Sequence, residues 1–255
     1  DEIGELTADF NTMTEAVKQK VEKLEDIASE RKVFIDNMTH EMKTPLTSII
    51  GFSDLLRSAR LDDETVHDYA ESIYKEGKYL KSISSKLMDL ILLRQKPEMT
   101  EIDVPRLVEE IDESVRPIAS SRQVAFSAAS VEAKLVCDRE LIKSLLYNLI
   151  DNAVKASQSG TCVTLNAYFT QDGVMEFSVA DQGSGIPKEE LDKIFEPFYR
   201  VDKARSRKYG GAGLGLALCM EIAHAHAATL EIESEVGRGT VIRLRFDGKG
   251  KGSVL

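Results

Sequence analysis

Ile3, Leu6, Phe10, Met13 and Val17 advance through the opening of the chain in alternating steps of three and four, and Leu24 and Ile27 rejoin the register past Lys20. A seam of this period describes a helix whose apolar edge is closed by another helix, a coiled coil. The pattern runs on through Phe34 and Met38 and fades near Ser58. It gives way to a turn at ARLDDET (59–65), with Asp62 or Asp63 as the N-cap. A second run follows in Tyr69, Ile73, Leu80, Ile83, Leu87 and Leu90. Two long helices with a short turn predict an antiparallel hairpin. One hairpin leaves apolar flanks uncovered, so two chains are expected to pair as a homodimer with a four-helix bundle.

Beyond RQKPEMTEID, where Pro97 ends the helix, the pattern changes. Short β-like runs (Val124–Ala128, Thr161–Phe169, Met175–Ala180, Thr229–Glu235, Thr240–Phe246) interleave with helical stretches (Pro105–Ser120, Asp138–Ser157, Gly215–Ala228). This predicts a layered α/β domain after an all-helical one. The expected divisions are 1–28 for the end of a signalling coiled coil, 29–96 for the hairpin and 97–104 for a linker. Residues 105–248 then form the α/β domain and 249–255 a tail.

The 255 residues leave ample length for a real core. A net charge of −10 argues against a nucleic-acid binder, and no apolar run approaches the ~20 residues needed to cross a bilayer. Cys137, Cys162 and Cys219, odd in number and far apart, are read as reduced, buried thiols. The chain opens mid-pattern and without Met, so it is read as a piece of something longer.

Four stretches of the second domain carry chemistry. In NLIDNAVKAS, Asn148 and Asn152 stand four apart on one helix face with Lys155 three further on. Amide oxygens are hard ligands for Mg²⁺, and an ammonium holds anionic oxygens. In DQGSGI, Asp181 ends a strand and is followed by Gly183 and Gly185, a carboxylate acceptor beside a wall of bare backbone. FEPFYR (195–200) brings aromatics ahead of a basic stretch of Arg200, Lys203, Arg205, Arg207 and Lys208, read as a mobile lid. GGAGLGLAL then runs glycines into a helix, whose bare amides suit phosphate. No strand directly precedes that loop and no Lys-Ser/Thr ends it, so it is neither a dinucleotide fingerprint nor a Walker loop.

The first domain carries a different signature, HEMKTPL (40–46). Taken in order, HEMKTPL, NLIDNAVK, DQGSGI, FEPFYR and GGAGLGL resemble the H, N, first-glycine, F and second-glycine boxes of bacterial sensor histidine kinases. DEIGELTADFNTMTEAV resembles the end of a HAMP signalling segment, which in that family follows a membrane helix. The resemblance implies a dimeric phosphoacceptor hairpin followed by a Bergerat-type ATP-binding α/β sandwich. It also implies ATP and Mg²⁺ as cofactors, a response regulator as partner, and the cytoplasmic portion of a cell-membrane protein.

By this likeness His40 is the phosphoacceptor. Imidazole offers a nucleophilic nitrogen near neutrality without prior deprotonation, and Glu41 is the general base for the other ring proton. Lys43 neutralises phosphate charge or pairs with Glu41. Thr44 orients water for a reverse, phosphatase reaction, and Pro45 bends the helix so that signals move His40. In the nucleotide site the likeness makes Asn152 the Mg²⁺ ligand, with Asn148 supporting the metal or its water. Lys155, Arg200 and Lys203 contact phosphates, and Asp181 takes the adenine amino group. Gly183, Gly185 and Ile186 belong to the first glycine box, and Tyr199 to the F box. Gly211, Gly213, Leu214, Gly215 and Leu216 belong to the second glycine box. Ala156 and Ala212 depart from the family pattern, which carries an aromatic and a hydroxyl there. His67, His224 and His226 are read as structural.

The expected activity is ATP-dependent autophosphorylation of His40, transfer to a regulator aspartate, and phosphatase action. The alternative is a kinase-inactive ATP-binding adaptor of the same fold. A third reading, an ATP-driven clamp, leaves the H box without a purpose.

Overall fold

The computed structural model describes residues 2–92, 97–201 and 212–246, and the chain divides into two compact units, Asp1–Gly77 and Lys78–Leu255. In the first, α1 (Glu2–Ser58) is a single helix of 57 residues that continues through Pro45. Asp62 resolves the choice of cap. Its carboxylate accepts the Thr65 N–H at 2.8 Å and the Thr65 hydroxyl at 3.0 Å, starting α2 (Asp63–Leu92). The rings of Phe52 and Tyr69 meet at 5.2 Å and hold the two helices together as a hairpin. Met13, Val17 and Leu24 of the opening seam are exposed, whereas the side chains of Ile3, Leu6, Phe10 and Ile27 lie outside the described residues.

The second unit begins within α2, where Tyr79, Ile83 and Leu87 are buried and Leu80 only half-buried. The elements that follow are β1 (Thr100–Asp103), α3 (Val104–Ser121), β2 (Ala125–Ser130), β3 (Lys134–Cys137), α4 (Arg139–Ala156), β4 (Cys162–Phe169) and β5 (Met175–Ala180). A 3-10 turn (Lys188–Glu190), α5 (Gly215–Ala225), β6 (Thr229–Glu235) and β7 (Gly239–Phe246) follow among the described residues. Five strands form one sheet in the order β2-β4-β5-β7-β6, parallel only between β2 and β4. Residues 100–103, read from sequence as linker, pair antiparallel with β3.

Alternation divides the sheet's faces. Met175, Phe177 and Val179 of β5 join Val163, Leu165, Ile242 and Leu244 in one core, to which α3, α4 and α5 supply Leu107, Ile111, Leu145, Leu146, Leu149 and Ile222. Each such aliphatic side chain withdrawn from water contributes about 1.5–3 kcal/mol. Between them, Glu176 points the other way. It is 3% exposed, 3.6 Å from both Arg243 and Arg245, and accepts from the Tyr168 hydroxyl. Asp103 caps α3 and Asp138 caps α4, each accepting the N–H three residues on. Cys137 and Cys219 are buried, and burial pushes both thiols up to about 12. Cys162, expected to be buried as well, is half-exposed near the start of β4, although its thiol is also unpaired with any other.

Candidate functional site

His40 stands exposed on α1, with Lys43 and Thr44 also exposed and Glu41 half-buried. Pro45, the one fully buried member of this stretch, has no N–H to give to the turn before it. The hydroxyls around it turn back on the helix: Thr39 donates to Ile35 O at 2.8 Å, Thr44 to His40 O at 3.3 Å, Thr47 to Lys43 O at 2.8 Å and Ser48 to Thr44 O at 3.2 Å. Such bonds compete with the backbone ladder and loosen it locally.

In the second unit a cleft of about 310 Å³ opens between α4, the end of β5, the segment up to residue 201 and the start of α5. Asn152, Lys155, Asp181, Gly185, Ile186, Tyr199, Arg200, Gly213, Gly215 and Leu216 all line it. Gly183 and Leu214 act from behind: both are buried, and Gly183 donates its N–H to Asp181 Oδ1 at 2.8 Å. That bond, with a further one from the Thr240 backbone, orients the carboxylate at the base of the cleft. Burial pushes the Asp181 carboxyl above the usual range, opposed by the hydrogen bond from Gly183. Lys203 and Gly211, with the rest of the expected basic lid, lie outside the described residues.

The glycines are needed for contact. Gly185 has φ +64°, and a Cβ there would stand 2.0 Å from the Glu235 carbonyl oxygen. No side chain fits. Gly215 opens α5, and the point where its Cβ would stand lies 3.2 Å from Asn148 Oδ1, 3.5 Å from Lys86 Nζ and 3.7 Å from Asn152 Nδ2. Opposite, buried Phe198 takes φ +68°, and its N–H donates to Gly213 O at 2.8 Å, joining the F box to the second glycine box.

The donor set fits a hexacoordinate Mg²⁺. Asn148 gives its amide N–H to Ser144 O at 2.9 Å, which leaves its Oδ1 beside Gly215 in the adjoining groove, not in the lining of the cleft itself, and Asn152 hydrogen-bonds to no described residue. Among the described residues no cluster of three His, Cys, Asp or Glu could hold a metal by itself. Two neutral amides suit an ion that keeps water and phosphate oxygens as its other ligands. Lys155 is held by Asp151 at 2.5 Å.

Several cleft residues escape sequence reasoning. Ser184 and Ala153 line it from within DQGSGI and NLIDNAVK, with no role read for them from sequence, and Ile194 lines it just ahead of FEPFYR. Lys86 is the most consequential, three residues past Ile83 on α2, with its pKa pushed down by burial first and by Lys155 second. Its position flanking the seam is the only sequence signal, and on a helix that position is ordinarily solvated. His226, by contrast, is structural as expected. It is buried, its Nε2 accepts the Asp138 N–H at 3.0 Å and its Nδ1 stands 2.8 Å from Ile222 O.

A helical hairpin bearing an exposed His40 beside a half-buried Glu41, in one chain with a glycine-lined cleft in an α/β domain, is the combination that two family models describe. Residues 30–95 match the family model of the His Kinase A (phospho-acceptor) domain. Residues 137–250 match that of the histidine kinase-, DNA gyrase B-, and HSP90-like ATPase. The chain belongs to the sensor histidine kinase family. It is 32% identical over 185 residues to the sensor-like histidine kinase SenX3 of Mycolicibacterium smegmatis, covering 71% of this chain and 48% of that protein. It is 31% identical over 249 residues to the sensor histidine kinase YkoH of Bacillus subtilis, covering 96% of this chain and 52% of that one. The chain thus spans about half the length of the curated relatives it matches. The fold is shared with the histidine kinase ThkA solved in complex with the response regulator TrrA, at a TM-score of 0.69 and 22% identity over 88% of this chain and 65% of that one. It is also shared with the mycobacterial sensor histidine kinase MprB, at 0.52 and 25% over 62% of this chain and 100% of that one.

Proposed function

We propose that this chain is the cytoplasmic, kinase-bearing portion of a membrane-anchored two-component sensor, a homodimer that autophosphorylates His40 from ATP and passes the phosphoryl group to an aspartate of a response regulator. The observation that carries the reading is an exposed His40 next to half-buried Glu41 in the same chain as a cleft lined by Asp181, Asn152 and Gly215 at the start of α5, with the Asn148 amide beside that glycine. Asp181 accepts a hydrogen bond from the adenine amino group. Asn152, seconded by Asn148, holds Mg²⁺, and Lys155, Arg200 and Lys203 hold phosphate oxygens. Magnesium, when bound, neutralises charge on the polyphosphate.

In the transfer, an imidazole nitrogen of His40 forms a bond to the γ-phosphorus as the bond to the ADP oxygen breaks. The proton on the other ring nitrogen passes to Glu41. Lys43 offsets charge near the phosphorylated ring. In the reverse direction Thr44 accepts a hydrogen bond from water and aims it at a phospho-aspartate; its own proton is already given to His40 O.

The dimer is supported by the exposed row of Met13, Val17 and Leu24, and the regulator partner by the complex solved for ThkA. Among the described residues no helix is long and apolar enough to cross a membrane. The end of a HAMP segment is assigned to residues 1–28, and a membrane anchor ahead of it, on the likeness of that stretch alone. The test is incubation with γ-labelled ATP. Acid-labile, base-stable label that disappears in His40→Gln is expected. ATP binding without label would overturn the kinase and favour the adaptor.

A further inference from the structure

We propose that Lys86, on the C-terminal half of α2, is a phosphate-binding residue of the nucleotide cleft, so that the polyphosphate is gripped from α2 as well as from α4 and α5. The inference rests on the reading of the cleft as an ATP site. Lys86 belongs to the same unit as the cleft and lines it, and its Nζ shares with the Asn148 and Asn152 amides the small space kept open by Gly215. It also lines a groove of about 420 Å³ that runs on past Asn148 and Tyr147.

The place is hostile to a lone ammonium. Lys155 stands near enough to repel it, and the N-terminus of α5 turns the positive end of its dipole to the same space. Asp151 on α4 is paired with Lys155 at 2.5 Å and attracts Lys86 only across space, and no hydrogen bond or ion pair joins Lys86 to any described residue. Burial removes most of the water that would otherwise compensate the charge. Ile83 and Leu87, buried on either side along α2, fix the segment that carries it. An ammonium short of water and beside Lys155, only partly offset by Asp151 and by Asp89 on its own helix, gains when an anion enters. Phosphate oxygens brought beside the two amides supply that anion and relieve the repulsion from Lys155.

Isothermal titration of the full chain with ATP and with adenosine, in the presence of Mg²⁺, tests this. Lys86→Met keeps the aliphatic stem. It is expected to weaken ATP by about 10-fold to 100-fold, the range for one lost charge-assisted bond, and adenosine by less than about twofold. Lys86→Arg should recover most of the ATP affinity, which a merely structural lysine would not require. Lys86→Gln serves as a second neutral variant should the Met variant fold poorly, its melting temperature being the check. ATP affinity unchanged or improved in both neutral variants would overturn the proposal, improvement meaning that the ammonium obstructs the amide pair. Wild-type chain that fails to bind ATP would overturn the reading of the cleft itself, and this proposal with it.

Discussion

The backbone N–H of Asp138 donates to Nε2 of His226 at 3.0 Å, tying the cap of α4 to the end of α5. The ring must be neutral to accept that hydrogen, with its own proton on Nδ1 facing Ile222 O at 2.8 Å. Burial lowers its pKa, with Asp138 and the Ile222 carbonyl opposing the shift. The unfolded chain takes up a proton at about pH 6.5 that the folded one does not. Stability from this site is therefore complete above about pH 6.5 and declines as pH falls towards the folded value, at most about 1.4 kcal/mol per pH unit. Urea unfolding between pH 7.5 and 5.5 should show the decline. His226→Gln should be less stable at pH 7.5 and flatter across the range; an unchanged slope would refute the assignment.

Asp181 sets stability against binding. Its carboxyl pKa is raised by burial, so ionised Asp181 costs the empty protein stability at neutral pH. Asp181→Asn keeps an oxygen for the Gly183 N–H but turns an amide N–H towards the ligand. The expected outcome is a melting temperature equal to or above wild type without nucleotide, and ATP affinity lower by about 10-fold or more. Loss of stability with affinity intact would contradict both halves.

Gly185→Ala forces a positive φ on a side chain and sets its Cβ against the Glu235 carbonyl. Strain of this kind costs about 1–3 kcal/mol. A melting temperature lower by several degrees, together with weakened ATP binding, is expected by calorimetry. A neutral substitution would show that the loop yields.

Thr44→Ala removes a hydroxyl bonded only to the His40 carbonyl on an exposed helix face, so folding should change by less than about 1 kcal/mol. Label from ATP should persist on His40 while dephosphorylation of a phospho-regulator falls. Phosphatase action kept at the wild-type rate would remove Thr44 from that role.

How far the sequence carries the fold is seen in particular elements. Met175–Ala180 and Thr229–Glu235 form strands at the residues that alternation predicts, because each has one face in the core. β1 and β3 escape it: Thr100–Asp103 is short and acidic, and its pairing with Lys134–Cys137 depends on a contact across about thirty residues that no local period records. Heptad counting names Leu80 for the α2 seam, yet Tyr79 is the more buried, since the second half of that helix serves a different neighbour from the first. In the cleft, motif residues were legible because each lies within a few positions of a glycine or an asparagine pair. Lys86 was not, because only tertiary packing takes it out of water.

The stretch of α1 around Pro45 has a mechanical meaning. A rod of uniform stiffness spreads a twist over its whole length, whereas one with a weakened turn concentrates it there. The missing N–H and the four backward-bonding hydroxyls put that compliance within two turns of His40. A torque applied at the distant end of α1 would concentrate there, and a small rotation upstream would alter where the His40 imidazole points.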